Sequence, residues 1–265
     1  MLRKLLLSGI AVIGMAGVAS AADMPLKAPP PAAYDWSGFY IGGVIGGGWG
    51  DSDSSIPGLG IIGTLAGVPV TQTTSNSGFI GGIEGGDRYQ LGKLVVGWEA
   101  DMLWGGINGT STTTFGPSFI PPGIFSLTRS MTADTNWTGT ATSSVGIAHN
   151  NWLIYGKAGV AWAHTNYSDN WTANVVGTGI AALTGAGSDN RVGWTVGTGV
   201  EWAFWNNWSL KVEYDYLDFG SRTVTMNGAV APTVINLPVS YGVSDTNHIN
   251  EVKAGLNWHI APNIW

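Results

Sequence analysis

The sequence predicts an all-β fold, an eight-stranded antiparallel up-and-down transmembrane β-barrel, on three observations. The chain of 265 residues carries only 11% charged residues but 41 Gly and 14 Trp, whereas soluble domains average about 25% charge. Beyond the N-terminus no segment reaches the roughly 18 consecutive apolar residues of a membrane-spanning helix. Eight strand-like stretches are joined by connections that alternate strictly between short and long. That is the layout of an outer-membrane barrel with short periplasmic turns and four long extracellular loops.

In chain order, Arg3 and Lys4 precede the apolar run Leu5 to Val18, which ends in Ala19-Ser20-Ala21. This is the build of a secretory signal peptide, so residues 1–21 are expected to be cleaved. Residues 22–35 read as a Pro-rich periplasmic leader, with Pro29 to Pro31 favouring polyproline II. Residues 36–265 are assigned to the barrel. Zero cysteines exclude disulfides and thiolate chemistry, and a net charge of −6 offers no basic patch for nucleic acid.

The strands are placed at Ser37 to Trp49, Gly78 to Tyr89, Leu94 to Gly105, Asn136 to His149, Trp152 to His164, Asn190 to Phe204, Trp208 to Gly220 and His248 to Ile260. The fifth is the clearest. One face reads Trp152, Ile154, Gly156, Ala158, Val160, Trp162, and the other carries Lys157. Two Trp at that spacing lie roughly 33 Å apart along the strand, or about 24 Å along the membrane normal at a tilt of about 45°. This matches an apolar band with indole rings at both interfaces.

The others repeat the pattern. In the third strand Trp98 and Trp104 lie opposite Glu99 and Asp101; in the sixth, Trp194 and Trp202 lie opposite Arg191 and Glu201. The seventh sets Leu210, Val212 and Tyr214 against Lys211, Glu213 and Asp215, and the eighth sets Val252, Leu256 and Trp258 against Glu251 and Lys253. The first two strands are glycine-rich, with Glu84 and Arg88 expected inward in the second. Glycines there are expected to make room for long charged side chains. The aromatic girdle is thus expected to include Trp104, Trp152, Trp162, Trp194, Trp202 and Trp258.

Eight strands enclose a space that side chains fill, whereas an open channel needs about sixteen. The expected lumen charges are Glu84, Arg88, Glu99, Asp101, Lys157, Arg191, Glu201, Lys211, Glu213, Asp215, Glu251 and Lys253, which should pair because an isolated buried charge is costly. Two readings follow: a plugged lumen whose pairs fix strand register, or a narrow porin-like channel for small solutes. A catalyst would need a Ser or Asp beside a positioned His. The chain offers His149, His164, His248 and His259, so no enzyme and no cofactor are expected. His164 and His248 stand as weak haem or metal candidates at the extracellular rim, if their strands approach.

The segments AADMPLKAPPP, YDWSGFYIGGVIGGGWG at Tyr34 to Gly50, and NEVKAGLNW at Asn250 to Trp258 resemble the ends of the small outer-membrane β-barrel proteins of α-proteobacteria, the opacity-like group that includes surface antigens of Brucella and rhizobia. The resemblance implies a Gram-negative cell outer-membrane location and a structural, surface-interacting role. The partners it implies are lipid and lipopolysaccharide, the barrel assembly machinery, and host or envelope surface components. Haem binding within that group adds interest to His164 and His248, though no motif carries over to them. Members commonly end on an aromatic that closes the last strand; here Pro262 is expected to interrupt the ladder before Trp265.

Overall fold

The computed structural model describes residues 34–55, 71–116, 124–175, 178–232 and 237–260. The expected signal peptide, residues 22–33 of the leader, and Pro262 with Trp265 lie outside them. Eight strands follow in order: β1 Gly38–Ser55, β2 Thr71–Leu91, β3 Leu94–Phe115, β4 Phe125–His149, β5 Trp152–Val175, β6 Thr178–Trp205, β7 Trp208–Pro232 and β8 Leu237–His259. Each pairs antiparallel with the next, and β1 closes the ring on β8 from Tyr40↔His259 to Ser55↔Ser244. A closed ring leaves no edge, so the wall satisfies its own backbone groups in an apolar medium.

The tight turns fall where the sequence placed them. Gly92 (φ 64°) and Asn150 (φ 56°) supply the left-handed backbone that two of these turns require. At the other end the strands run well past the expected stops. β5 continues to Val175 rather than ending at His164, and β6 begins at Thr178 rather than Asn190. Most of the residues read as long loops are therefore strand. The lipid pattern stops there, which made these stretches look like connections, but inward-outward alternation continues. On β4, Arg129, Met131 and Ala133 are buried while Thr128, Ser130 and Thr132 face out. Register shifts at Trp104/Ile107, Thr135/Trp137 and Asp218/Ser221 cluster where the apolar band ends, and Gly220 (φ 61°) forms the last of them.

The interior is layered. At the turn end Trp36, Leu153 and Tyr155 pack with Val95, Ala148 and Ala203. Beyond an ionic level comes an apolar level around Leu103, Ile107, Leu217, Phe219 and Ile249. A third apolar cluster, with Met131, Tyr167, Trp171 and Met226, fills the extension beyond the band. The outer wall is apolar, for example Ile41, Ile83, Ile154 and Val212, each more than half exposed.

Candidate functional site: the filled lumen

Alternation delivers the charged side chains to the lumen in cross-strand pairs: Glu84↔Asp101, Glu201↔Lys211, Glu213↔Lys253 and Asp215↔Glu251 face one another in register. All twelve residues expected in the lumen are buried. Glycines opposite them provide the volume. A Cβ on Gly197 would stand 1.8 Å from Asp215 Oδ1, and one on Gly255 would stand 2.9 Å from Glu84 Oε1 and 3.0 Å from Lys211 Cγ. Glycine thus makes room for charged side chains on β6 and β8, whereas the side chains nearest the inward glycines of β1 and β2 are neutral, Asn257 at Gly42, Ile107 at Gly48 and Tyr40 at Gly86, which corrects the expectation for the first two strands.

Three lysines knit the level together. Lys157 Nζ lies 2.5 Å from Glu213 Oε1 and 3.1 Å from both Glu99 Oε1 and Asp215 Oδ2. Lys211 Nζ meets Glu84 at 2.7 Å, Glu99 at 2.8 Å and Glu213 at 3.2 Å. Lys253 Nζ meets Asp215 at 2.5 Å, Asp101 at 2.9 Å and Glu213 at 3.1 Å. Each ammonium has three donors and finds three carboxylates. Tyr40 donates to Glu99 (2.7 Å), Tyr155 to Glu213 (2.6 Å) and Thr138 to Glu251 (2.9 Å). Buried charges arranged in this way offset much of their desolvation cost. Glu99, Asp101 and Glu213 come close enough to share a metal ion, but the lysine ammoniums already occupy the space between these carboxylates.

At the turn end Arg88 pairs with Glu201 at 2.7 Å and lies over the Tyr40 ring at 4.2 Å. Residues 34–36, read as leader and strand approach, fold into this mouth. Trp36 is fully buried, its backbone N–H donates to Gln90 Oε1 at 2.8 Å, and Tyr34 meets it edge-on at 4.8 Å. Burial, with the Glu201 carboxylate nearby, pushes the Tyr34 hydroxyl up to about 12.

Ser209, His259 and Glu201 meet here too. Ser209 Oγ is 2.8 Å from His259 Nε2 and also donates to Glu201, whose Oε1 lies 3.4 Å from the same Nε2. In a nucleophilic triad the carboxylate holds the opposite ring nitrogen. Here acid and hydroxyl share one nitrogen, beneath Trp36.

Arg191 belongs to a separate level. It pairs with Asp245 at 2.7 Å and Asp189 at 3.2 Å, and Tyr167 donates to Asp245 at 2.9 Å. Above it Arg129 grips Asp169 through two bonds of 2.8 and 3.0 Å. Sequence reasoning missed Arg129, Asp169 and Asp245 because they fall in stretches taken for loops. Continued parity was the available signal: Asp245, Asn247 and Ile249 are in phase with Glu251.

The two rim histidines do not converge, which corrects the idea of a joint haem or metal site. His164 is on β5 and His248 on β8, with β6 and β7 between them in the ring. Both have the outward parity of their strands. His164 bonds Asn190 at 2.8 Å and stacks on Trp137, and His248 packs against Tyr216. The girdle candidates all face out. Trp152, Trp202 and Trp258 line the turn end, while Trp104, Trp162 and Trp194 line the far end.

The model of the outer membrane protein beta-barrel domain matches residues 9–242. The chain belongs to that family. It is 29% identical over 268 residues to the 31 kDa outer-membrane immunogenic protein of Brucella melitensis, covering 97% of this chain and 99% of that one. The 22 kDa outer membrane protein of Rhizobium leguminosarum bv. viciae is 28% identical over 196 residues, 74% of this chain and 70% of that one. Among solved structures, the outer membrane protein OprG of Pseudomonas aeruginosa superposes with a TM-score of 0.45 at 12% identity, covering 86% of this chain and 99% of that one. This member of the family is accordingly an α-proteobacterial type of outer-membrane barrel, resident in the Gram-negative outer membrane, with its tight turns on the periplasmic side.

Proposed function

We propose that the protein is a non-enzymatic structural barrel whose filled lumen braces the outer membrane and whose long strands hold an interaction surface above it. The carrying observation is the continuous stacking of Trp36, the lysine-carboxylate level and the Leu103–Leu217 level across the bore. A solute would have to break buried ion pairs at one level and open close-packed side chains at two others. The Ser209–His259–Glu201 arrangement supports the non-enzymatic reading, since among the described residues the acid and the hydroxyl meet the same ring nitrogen and Tyr34, Trp36 and Tyr40 pack around the imidazole. Lipid and lipopolysaccharide, the assembly machinery and envelope or host surfaces are the partners this role requires.

Purified protein reconstituted in planar bilayers, with insertion verified, is expected to be silent. Removing its gene is expected to sensitise cells to detergent and chelator, with restoration by the intact chain. Discrete single-channel steps from the unaltered protein would overturn this reading in favour of the porin-like one.

A further inference from the structure

We propose that the outward face of β3, β4 and β5 above the girdle binds the neutral saccharide chains of the cell's own outer leaflet. The proposal deepens the surface-interaction part of the function proposed above and rests on it. Above Trp104 and Trp162 this face becomes a grid of hydroxyls. Thr110 pairs with Thr132 at 2.8 Å, Thr112 with Ser130 at 3.1 Å and Thr114 with Thr128 at 3.0 Å. Register continues these rungs onto β5 as Ser168, Asn170 and Thr172.

Height and charge choose the partner. Ser168 and Thr172 lie six and ten residues beyond Trp162, which is about 20 and 33 Å along the strand, or roughly 14 and 23 Å above the girdle at a tilt of about 45°. Lipid headgroups occupy only about the first 5–8 Å beyond the hydrocarbon, so the grid meets the sugar layer outside the phosphates. Asp134 marks its foot, and above it no outward residue of these three strands is charged. The opposite side differs: β1 and β7 turn out Asp51, Asp53 and Asp218. The acidic side would repel anionic polymer, whereas the hydroxyl side meets neutral sugar with no charge to desolvate. In each cross-strand pair one hydroxyl donates to the other, which fixes both rotamers and leaves the second proton free to donate outward. The free donors then repeat about every 7 Å along the strands, a fixed array that suits a polyhydroxylated chain.

The test uses the full mature chain in phosphatidylcholine nanodiscs. The probe is lipid-free polysaccharide released by mild acid from the lipopolysaccharide of the producing strain, titrated by calorimetry. The triple variant Thr112→Val, Ser130→Ala, Thr132→Val is expected to bind at least ten-fold more weakly than the parent. A variant on the other side, Ser221→Ala with Thr246→Val on β7 and β8, should bind like the parent. Retained heat-modifiable migration on gels certifies folding of both. The proposal is overturned by equal affinity of the triple variant and the parent, by binding only of intact lipid-bearing lipopolysaccharide, or by no binding to the parent. A self-association that the triple variant abolishes in sedimentation would also overturn it, by showing a second copy as the occupant. None of these outcomes bears on bilayer silence, so the sealed-barrel reading stands or falls separately.

Discussion

Lys157 and Glu213 sit on β5 and β7, which are not neighbours in the ring, and their Nζ and Oε1 atoms meet 2.5 Å apart across the lumen. The contact is a strut between walls, and Glu213 also receives Lys211, Lys253 and Tyr155. Removing one partner of a buried pair costs about 3–5 kcal/mol, whereas replacing both by apolar groups costs little. Lys157→Met should therefore lower unfolding stability by about that amount, and Lys157→Met with Glu213→Leu by clearly less than the sum of the singles. Urea titration of the refolded protein, read by tryptophan emission, measures both. Strict additivity would mean the strut is not coupled.

Trp36 closes the periplasmic mouth but is not the only seal. Trp36→Ala should cost about 3–5 kcal/mol as a large buried side chain, yet leave bilayers silent, because the ionic and Leu103 levels remain. If Trp36→Ala conducts by itself, the deeper levels do not close the bore. A wider breach, Trp36→Ala with Leu103→Ala and Leu217→Ala, should leak cations in preference to anions. Glu84, Glu99, Asp101, Glu201, Glu213, Asp215 and Glu251 outnumber Arg88, Lys157, Lys211 and Lys253 around that bore. Reversal potentials in a salt gradient settle the preference.

The barrel and its lumen were legible because lipid imposes a strict code. Trp at each end of an apolar parity fixed the span, and Lys157 on the other parity named the interior. The extension above the membrane was hidden for the same reason. Once neither face needs to be apolar, Thr128, Ser130 and Thr132 look like loop residues, although Arg129 and Met131 between them are buried. Partnership within the lumen was also out of reach. Arg191 shares parity with Glu201, but only the ring's shear sends it to Asp245 instead of the lysine level. The fold of residues 34–36 back into the mouth depends on Gln90, which is remote in sequence.

The glycine-rich wall yields a paired test of space against flexibility. Gly197→Ala would press a methyl onto Asp215 and onto the Tyr214 carbonyl, 2.7 Å away. Overpacking of this kind costs about 1–3 kcal/mol, and here it also displaces a carboxylate from Lys253 and Lys157. Gly43 faces outward with nothing within 4 Å of its virtual Cβ, so Gly43→Ala should be neutral or stabilising by a few tenths to about 1 kcal/mol, since it restricts only the unfolded chain. Comparable losses at both positions would assign the glycines to strand flexibility instead of lumen volume.

Haem titration separates the two histidines from any haem affinity the chain possesses. Iron needs axial donors aimed at one point, and His164 and His248 project outward from walls separated by β6 and β7. His164 is also engaged by Asn190. The double variant His164→Ala, His248→Ala should therefore give the same Soret band, position and intensity, as the parent across a haem titration in detergent. A band present in the parent and lost in the double variant would require these two side chains to act on one ligand, which the closed ring forbids within a single barrel and only two barrels side by side could arrange.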